Sequence, residues 1–449
     1  MIDRRRFLAA LAAAAASRPG HARADSRASF GLLRADPARI LDLPDGFRYD
    51  IVARAGDEMD DGLLVPARAD GMAAFAGERG EVLLVCNHEV IAGVDGFGPF
   101  GATLERLPLA LPGSLYDEGK RRTPGAGGTT TIAWDPRERR RQRQFMSLLG
   151  TEMNCAGGAT PWGSWLSCEE CFENPGERLH YGQTVVRERR HGYVFEVPAQ
   201  HAGPVEPRPL TGMGRFEHEA AAVDPASGAV YLTEDRQRGL FYRYLPERPG
   251  QLAAGGRLQA LAIAGRPGFD TRNWGLTRDL DPGESLPVAW VDLPEPDPAS
   301  NDLRFTGQRL GAARFARGEG LCYADGELVM TCTIGGSERL GQVFAYRPAA
   351  DGGNLRLVAE ATRDSLLRHA DNITWSPWGD LVVCEDTAEH CGLVGLTPDG
   401  RQYPLADNAY SASELAGVCF APDGSELFVN IQARGLTLAI RGPWDRGAG

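Results

Sequence analysis

The 449 residues carry a net charge of −12, with 60 acidic against 48 basic side chains. This balance argues against a nucleic-acid-binding protein, which would present a basic face, whereas an excess of carboxylates favours hard cations. The chain also holds 56 glycines and 30 prolines, and such frequent turn signals between short apolar runs predict an all-β fold.

Residues 1–24 have the features of an export signal rather than of folded structure. The run Arg4-Arg5-Arg6-Phe7-Leu8 precedes an alanine-rich apolar stretch, and Ala22-Arg23-Ala24 provides small residues for cleavage. Paired arginines followed by Phe-Leu are typical of a twin-arginine signal, which exports folded proteins. We therefore expect residues 25–449 to form one mature domain that meets the twin-arginine export machinery and is periplasmic or secreted.

No later segment approaches the roughly 20 apolar residues that a membrane-spanning helix needs. We therefore expect the mature protein to have no membrane span. It is expected to act as a monomer.

Residues 151–170, TEMNCAGGATPWGSWLSCEE, set a thiol and paired carboxylates around glycines. Cys155 lies in polar surroundings, whereas six other cysteines lie in or beside apolar runs and are expected to be buried hydrophobic residues. Glu169 and Glu170 end a strand-like run, and adjacent carboxylates are costly to bury unless a cation or a hydrogen-bond network faces them. The segment predicts either a metal site shared by thiolate and carboxylates, or a core cysteine beside a solvated acidic turn.

A similar unit recurs along the chain: an apolar residue, a turn with glycine, and an apolar strand that ends in acidic or amide residues. The turn glycines at 163, 228, 326, 379 and 424 are separated by 65, 98, 53 and 45 residues. This loose period, with one weak copy in the longest gap, is typical of a β-propeller, whose blades take roughly 40 to 50 residues. A pair of β-sandwiches is the structural alternative.

The strand ends of this unit carry candidate metal ligands. Equivalent strands of successive blades bring their ends to one region, where two carboxylates about 4 Å apart repel by about 4 kcal/mol at an effective dielectric constant near 20. Bound Ca²⁺, Mg²⁺ or Mn²⁺ would relieve that repulsion, while the alternative is that each acidic pair caps its own solvated turn. The matching ends are Glu169-Glu170, Glu234-Asp235, Glu385-Asp386 and Asn430.

Further segments place polar groups beside predicted strands. Arg215 precedes Glu217 and Glu219 at alternate positions, so an extended backbone turns these three side chains to one face. Arg317 lies two residues before Glu319, which glycines flank on both sides. An arginine with a carboxylate is commonly a plain salt bridge, but beside a metal cluster its fork suits phosphate oxygens. The remaining segments are Asn87-His88-Glu89 and Asp371-Asn372.

These motifs follow one another as NHE at 87–89, NCAGG-TPWG-W-CEE at 154–170, GRFEHE at 214–219, TED at 233–235, RGEG at 317–320, DNI at 371–373, CED at 384–386 and GVCFAPDG-LFVNIQ at 417–432. Together they resemble the PhoX family of exported bacterial alkaline phosphatases, over most of the mature chain. The resemblance implies a six-bladed propeller that is exported by the twin-arginine route, binds Ca²⁺ and Fe³⁺, and hydrolyses phosphomonoesters.

The resemblance also implies roles for matching residues. Cys155 would ligate iron, Glu219 and Glu319 would serve the same metal cluster, and Arg317 would bind the phosphate of a phosphate ester substrate. Arg215 is the second candidate catalytic arginine. The remaining candidate metal ligands are Asp371 and the acidic strand ends, Glu169, Glu170, Glu234, Asp235, Glu385 and Asp386.

Two other functions stay open. A calcium-dependent propeller lactonase or phosphotriesterase would need neither Cys155 nor both arginines, and a non-catalytic calcium-stabilised propeller would bind an extracellular partner. The sequence has no Gly-x-Ser-x-Gly elbow and no Walker loop, so serine-hydrolase and nucleotide-hydrolase functions lack their local motifs.

Overall fold

The computed structural model of the protein describes residues 30–180, 182–275, 278–397 and 400–444. The predicted export signal at 1–24 lies outside these residues. Within them the chain forms β-strands, one α-helix, α1 (Leu303–Arg309), and short 3₁₀ turns, so the predicted all-β class is confirmed. Over the same residues no helix reaches the length and apolarity needed to cross a bilayer. The 3₁₀ turns are Gly98–Phe100, Leu107–Leu109, Gly119–Arg121, Thr211–Met213, Leu252–Ala254 and Gln432–Arg434.

The strands are numbered in chain order. Those before α1 are β1 (Leu33–Arg34), β2 (Leu41–Pro44), β3 (Arg48–Arg54), β4 (Ala69–Ala76), β5 (Val82–His88), β6 (Gly127–Asp135), β7 (Arg140–Thr151), β8 (Asn154–Ala159), β9 (Ser164–Glu169), β10 (Gly176–His180), β11 (Gln183–Arg187), β12 (Val194–Pro198), β13 (His218–Val223), β14 (Val230–Glu234), β15 (Phe241–Pro246), β16 (Gly256–Ile263) and β17 (Ser285–Asp292). Those after it are β18 (Gly318–Ala324), β19 (Glu327–Cys332), β20 (Gln342–Arg347), β21 (Asn354–Glu360), β22 (Ala370–Trp375), β23 (Leu381–Glu385), β24 (Gly392–Leu396), β25 (Gln402–Asn408), β26 (Leu415–Phe420), β27 (Leu427–Ile431) and β28 (Leu436–Arg441).

Six strands line the centre of the molecule: β4, β8, β13, β18, β22 and β26. Each contacts the next, and β26 contacts β4, so the ring is closed. Each begins an antiparallel meander that runs outward, and β17 joins two meanders at their outer edges by pairing with β16 and β21. The arrangement is propeller-like, as predicted, because a sandwich pair would not close such a ring.

The core lies between neighbouring sheets rather than on the central axis. The middle strands β5, β14 and β27 are buried at every position, because sheets pack on both of their faces, and they are accordingly runs of Val, Leu, Phe and Tyr. Aromatic side chains fill the wide space between the β13–β16 and β18–β21 meanders, where Tyr231, Phe241 and Phe344 belong to one buried cluster. This packing holds the ring together from outside.

The innermost strands approach one another closely around a channel of about 510 Å³. At Gly71 a Cβ atom would lie 2.6 Å from the Cα atom of Ala156 on the neighbouring strand. Glycine is therefore required there, because only a residue without a Cβ allows this backbone approach.

Strand β3, which lies near the start of the described chain, completes the last sheet by pairing with β28, the last strand of the described residues. Beside this seam the rings of Trp378 and Trp444 stack with centroids 5.4 Å apart, and Phe47 packs edge-on against Trp444 at 4.7 Å. An early strand and the last described strand are thus tied into one sheet, while β2 pairs with β25, and β1 with β2, in the neighbouring sheet.

Replacing Leu438 by Ala should weaken this closure. Leu438 is fully buried in β28, so the cavity that its loss leaves should lower the free energy of unfolding by about 3 kcal/mol. Denaturant unfolding followed by circular dichroism measures the change. Leu32→Ala is the control, since Leu32 is 82% exposed and its loss should change the denaturant midpoint of unfolding little. Equal effects of the two substitutions would contradict the stabilising role of the β3–β28 pairing.

Candidate metal centre

Every innermost strand carries a β-bulge near its start. In each, two residues of the innermost strand face one residue of the next strand, and the register shifts at Ala69/Met72, Asn154/Gly157, His218/Ala221, Gly318/Leu321, Ala370/Ile373 and Ala416/Cys419. A bulge turns its extra side chain away from the ladder. Five of the six bulges begin with an acid or a thiol: Asp70, Cys155, Glu219, Glu319 and Asp371.

A second layer comes from the residues that follow the neighbouring strands. In each acidic pair the first member is paired within the sheet, as Glu385 is with Ala370, and the second extends beyond it. Successive side chains of an extended backbone point to opposite sides. The second members Glu170 and Asp386 therefore face the centre, where Glu89 joins them in the same way.

Eight carboxylates and one thiol meet at this end of the ring. Their donor atoms form four groups, each with all atoms within 4.8 Å, that share Glu219, Asp371 and Glu414. We call the joined groups the central cluster. They are Cys155–Glu170–Glu219, Glu219–Glu319–Asp371, Asp371–Asp386–Glu414 and Asp70–Glu89–Glu414.

The central cluster carries more negative charge than its surroundings compensate. Burial, and then repulsion by neighbouring carboxylates, raises the pKa of Glu219 well above its usual range. The same causes raise the pKa of Glu89 to about 7 and that of Asp371 to about 6. The pKa is also raised well above its ordinary value in Asp70, Glu170, Glu319 and Glu414.

The donors of the central cluster fit cations. Glu219 Oε2 is buried and has no hydrogen-bond partner among the described residues, and a buried carboxylate oxygen in that state is costly unless a cation faces it. Oxygen donors at this density are the ligands that Ca²⁺ prefers. The chemistry of the cluster thus agrees with bound metal ions.

Cys155 adds a softer ligand to this set of oxygens. Its Sγ lies 3.1 Å from Glu219 Oε1 and donates a hydrogen bond to it. Burial, followed by the charges of Asp70 and Glu219, raises the pKa of the thiol well above its ordinary value. A cation beside Sγ would favour the thiolate, and thiolates select transition metals over Ca²⁺.

Two arginines reach the central cluster. Arg317 donates to both carboxylate oxygens of Asp235, at 2.8 and 2.7 Å, and its Nη2 donates to Glu319 at 3.0 Å. Arg317 is 31% exposed, whereas Glu319 is 4% exposed, so the guanidinium lies between the carboxylates and solvent. Arg68 sits at the equivalent position before β4 and contacts Asp95 at 2.7 Å and Glu89 at 3.8 Å.

The residues before the innermost strands have unusual backbone conformations. Arg68, Met153, Arg317 and His369 each directly precede such a strand and have φ between 46° and 54°. Residues with side chains rarely adopt this left-handed region, and where they do the strain commonly accompanies a functional site. Here the conformation ends the preceding loop and starts the bulge that presents each ligand.

Side chains of one sheet hold the bulges of the next. Asn87 Nδ2 donates to the carbonyl oxygens of Cys155 and Ala156, at 3.0 and 2.7 Å. Thr233 donates in the same way to Glu319 O, and Thr331 to Asp371 O, both at 2.7 Å. The ligand-bearing backbone is therefore fixed by the neighbouring sheet.

Glu169, a predicted ligand, is directed away from the central cluster. Its carboxylate accepts hydrogen bonds from His191 Nδ1 at 2.7 Å and from the backbone N–H groups of Glu152 and Gly192. Burial opposes the imidazolium, but Glu169 and Asp117 raise the pKa of His191 to about 9. Glu169 thus orients the turn that leads into Cys155 and lies outside the central cluster, and its carboxylate forms a separate buried donor group with Cys171 and His191.

Two other predicted ligands also lie outside the central cluster. Glu234 accepts hydrogen bonds from Tyr242 Oη and the Leu240 N–H, and Glu385 accepts one from the Arg368 N–H. The pairing of each within its sheet turns it away from the axis.

Arg215 is fully buried. Its Nε donates to His191 O at 2.9 Å, its Nη1 donates to Pro298 O at 3.2 Å, and the guanidinium lies 3.8 Å from the Phe172 ring centroid. Because the guanidinium is buried and donates its hydrogen bonds to backbone carbonyl oxygens, its position does not agree with the predicted role in binding phosphate.

The sequence analysis did not select Asp70, Glu89, Glu414 and Arg68. Three of the four had a usable signal: Arg68-Ala69-Asp70-Gly71 repeats the pattern of Arg317-Gly318-Glu319-Gly320, and Glu89 follows a strand as Glu170 does. Glu414 belongs to no recurring motif, and only the closed ring brings it to the centre.

Comparison with known proteins gives a family and a fold. A family model described as alkaline phosphatase PhoX matches residues 28–435. PhoX of Pseudomonas fluorescens, solved in complex with vanadate, a transition state analogue, aligns with a TM-score of 0.66 and 18% identity over 91% of this chain and 97% of that chain. A gluconolactonase from Xanthomonas campestris aligns with a TM-score of 0.39 and 13% identity over 92% of this chain and 98% of that chain. No curated protein matches the sequence.

The family match extends over most of the chain and includes every motif on which the resemblance rests. At 18% identity the alignment with the Pseudomonas protein shows a common fold. The predicted resemblance is therefore confirmed, and the chain belongs to the PhoX family of alkaline phosphatases.

Proposed function

We propose that the central cluster hydrolyses phosphomonoesters with bound Ca²⁺ and Fe³⁺. Membership of the family makes a metal-dependent phosphatase the general assignment, and the metal identities and the ester class are our proposal. The observation that carries it is the convergence of eight carboxylates and the Cys155 thiol at one end of the ring.

The donor groups divide by chemistry. Cys155, with Glu170 and Glu219, would hold iron, because this is the group that contains a thiol. The groups around Glu414 contain only carboxylates and would hold Ca²⁺. When bound, these cations supply the positive charge that phosphoryl transfer requires at the phosphate oxygens.

Arg317 would bind and orient the phosphate group. Asp235 and Glu319 hold the guanidinium at Nε and Nη2, which fixes its plane before substrate arrives. These contacts use the N–H donors of Nε and Nη2, so the two N–H donors of Nη1 would bind the phosphate oxygens. Since Arg317 is partly exposed, an ester could approach it from solvent.

We further propose the following for the whole protein. The propeller has six blades, one for each innermost strand, and residues 25–449 form its single domain. Export by the twin-arginine route of residues 1–24 would deliver it, folded and with metal bound, to the periplasm or the medium, where it acts as a monomer.

The lactonase, phosphotriesterase and non-catalytic alternatives are tested against this proposal by turnover. A chromogenic phosphomonoester, a lactone and a phosphotriester are offered to the purified protein, with added Ca²⁺ and after chelation. Turnover of the monoester alone, lost on chelation, supports the proposal. Turnover of a lactone or triester alone would favour the enzymatic alternatives, and no turnover under any metal loading would favour the non-catalytic propeller.

Replacing Cys155 by Ser should remove iron and activity together. The substitution takes away the single thiol of the central cluster, so we expect iron content to fall below half and kcat to fall about 100-fold or more. Elemental analysis and the phosphomonoester assay measure the two effects. Cys322→Ser, at a half-buried thiol later in β18, is the control and should keep both; full iron content in Cys155→Ser would contradict the ligand role.

The adjacent residues Glu385 and Asp386 provide a matched pair. Asp386→Asn should weaken Ca²⁺ binding about 10- to 100-fold, because Asp386 faces the central cluster. Glu385→Gln should weaken it less than about threefold, because Glu385 is turned to the Arg368 backbone. Calorimetric Ca²⁺ titration of chelated protein compares them, and the reverse order would refute the division between first and second members of the acidic pairs.

Without metal, the protein should become less stable as pH rises. Carboxyls with raised pKa keep protons in the folded state that the unfolded state releases near pH 4, so the free energy of unfolding falls with increasing pH. For Asp371 the fall continues to about pH 6 and for Glu89 to about pH 7. Thermal unfolding at pH 5, 6.5 and 8 should show a declining Tm in chelator and a smaller decline with saturating Ca²⁺; a Tm that rises with pH in chelator would contradict this electrostatic account.

A further inference from the structure

A groove lined by arginines extends outward from the central cluster. Its inner part is a cavity of about 440 Å³ whose wall includes Asp235 and Arg317 together with Arg238 and Phe305. An adjoining cavity of about 410 Å³ shares Arg238 and Phe305 and continues along α1. The arginines that line the two cavities are Arg236, Arg238, Arg304, Arg309, Arg314 and Arg317.

Several of these arginines are neutralised by neighbouring acids. Arg304 is 13% exposed and lies 3.3 Å from Glu234 and 3.6 Å from Glu217. The same Glu217 pairs with Arg236, so one carboxylate serves two guanidinium groups. Arg314 is 3.9 Å from Asp270, at the outer limit of an ion pair.

Two arginines of the groove have no acidic partner among the described residues. Arg238 donates to Gln308 Oε1 at 3.3 Å, and Arg309 donates to Thr306 Oγ1 at 2.9 Å, and both acceptors are neutral. The outer part of the groove therefore carries two positive charges without acidic partners, on a chain whose net charge is −12. Such a local reversal of charge attracts anions.

The groove is also connected to the reaction centre. Arg317 and Asp235 belong both to its inner wall and to the contacts of Glu319 in the central cluster. A phosphate held by Arg317 would therefore leave the rest of its ester facing Arg238. The volume suits a small molecule rather than a folded macromolecule.

We propose that this groove binds the leaving group of the substrate and that this leaving group carries at least one further phosphate. The inference rests on the proposed phosphomonoesterase function and specifies its substrate class as polyphosphorylated small molecules. Guanidinium groups match phosphate oxygens in geometry and charge, whereas a neutral leaving group would use neither Arg238 nor Arg309.

The preference is tested with a sugar bisphosphate and the corresponding sugar monophosphate. Wild-type protein should show a kcat/KM ratio that favours the bisphosphate, and Arg238→Gln/Arg309→Gln should lower that ratio about tenfold through KM, which corresponds to about 1.4 kcal/mol. Arg257→Gln is the charge control, because Arg257 is 62% exposed on β16. It should leave the ratio unchanged, and an unchanged ratio in the double variant would overturn the proposal.

A binding measurement separates this inference from the proposed function. Inositol hexasulfate has no phosphate ester to hydrolyse, and its affinity for metal-loaded protein can be measured by calorimetry at 150 mM NaCl. We expect about tenfold weaker binding in Arg238→Gln/Arg309→Gln and no change in Arg257→Gln. If wild type binds hexasulfate in this manner but hydrolyses no ester, the groove stands and the proposed function fails.

Two results of the same measurement would overturn the groove. One is equal affinity of the wild type and the double variant for hexasulfate. The other is a preference for a single-stranded oligonucleotide over hexasulfate, which would make the surface a nucleic-acid site.

Discussion

Repulsion between buried carboxylates is the constraint on which this structure depends. Two carboxylates about 4 Å apart repel by about 4 kcal/mol at an effective dielectric constant near 20, and the central cluster holds eight. Without cations, the side chains of the central cluster therefore contribute no net stability to the fold. Stability comes from the apolar and aromatic layers between the sheets, such as the one around Tyr231 and Phe344, and from the β3–β28 closure. These elements surround the acidic centre and keep its ligands at fixed positions.

The repeated β-bulge explains how one ring can carry such a cluster. Each bulge breaks the alternation of side chains at the same place in its strand, and it turns one residue of that strand to the axis. Polar side chains of the preceding sheet, such as Asn87 and Thr233, then fix the bulged backbone. The ligand can differ from one strand to the next, a carboxylate at Glu219 and a thiol at Cys155, while the backbone conformation of the bulge stays the same. The ring thereby combines hard and soft ligands on nearly equivalent strands.

Sequence patterns predicted the parts of this arrangement that repeat. The turn glycines predicted the propeller, and the acidic strand ends placed Glu170 and Asp386 in one region. The family resemblance added Cys155 and Glu219, and the structure brings these four residues into the central cluster. The patterns did not distinguish Glu385 from Asp386, because which member of a pair faces the axis depends on register, and the bulge sets that register. Arg215 follows a 3₁₀ turn at Thr211–Met213, and its buried carbonyl contacts are long-range. Glu414 could not be predicted as a ligand, because only the closed ring brings it to the central cluster.

The central cluster and the arginine groove differ in what supports them. All the innermost strands contribute to the ring that holds the central cluster, so a change in one ligand strand is transmitted to its neighbours through shared hydrogen bonds such as Thr331 to Asp371. Arg304, Phe305 and Arg309 instead belong to α1, in the single connection between β17 and β18. Substitutions on α1 can alter charge and shape beside Arg317 while the bulges keep their geometry. Under the proposed function, phosphate transfer would depend on the whole ring, whereas the choice of leaving group would depend on α1 and on Arg238 beside it. The two would therefore be physically separable.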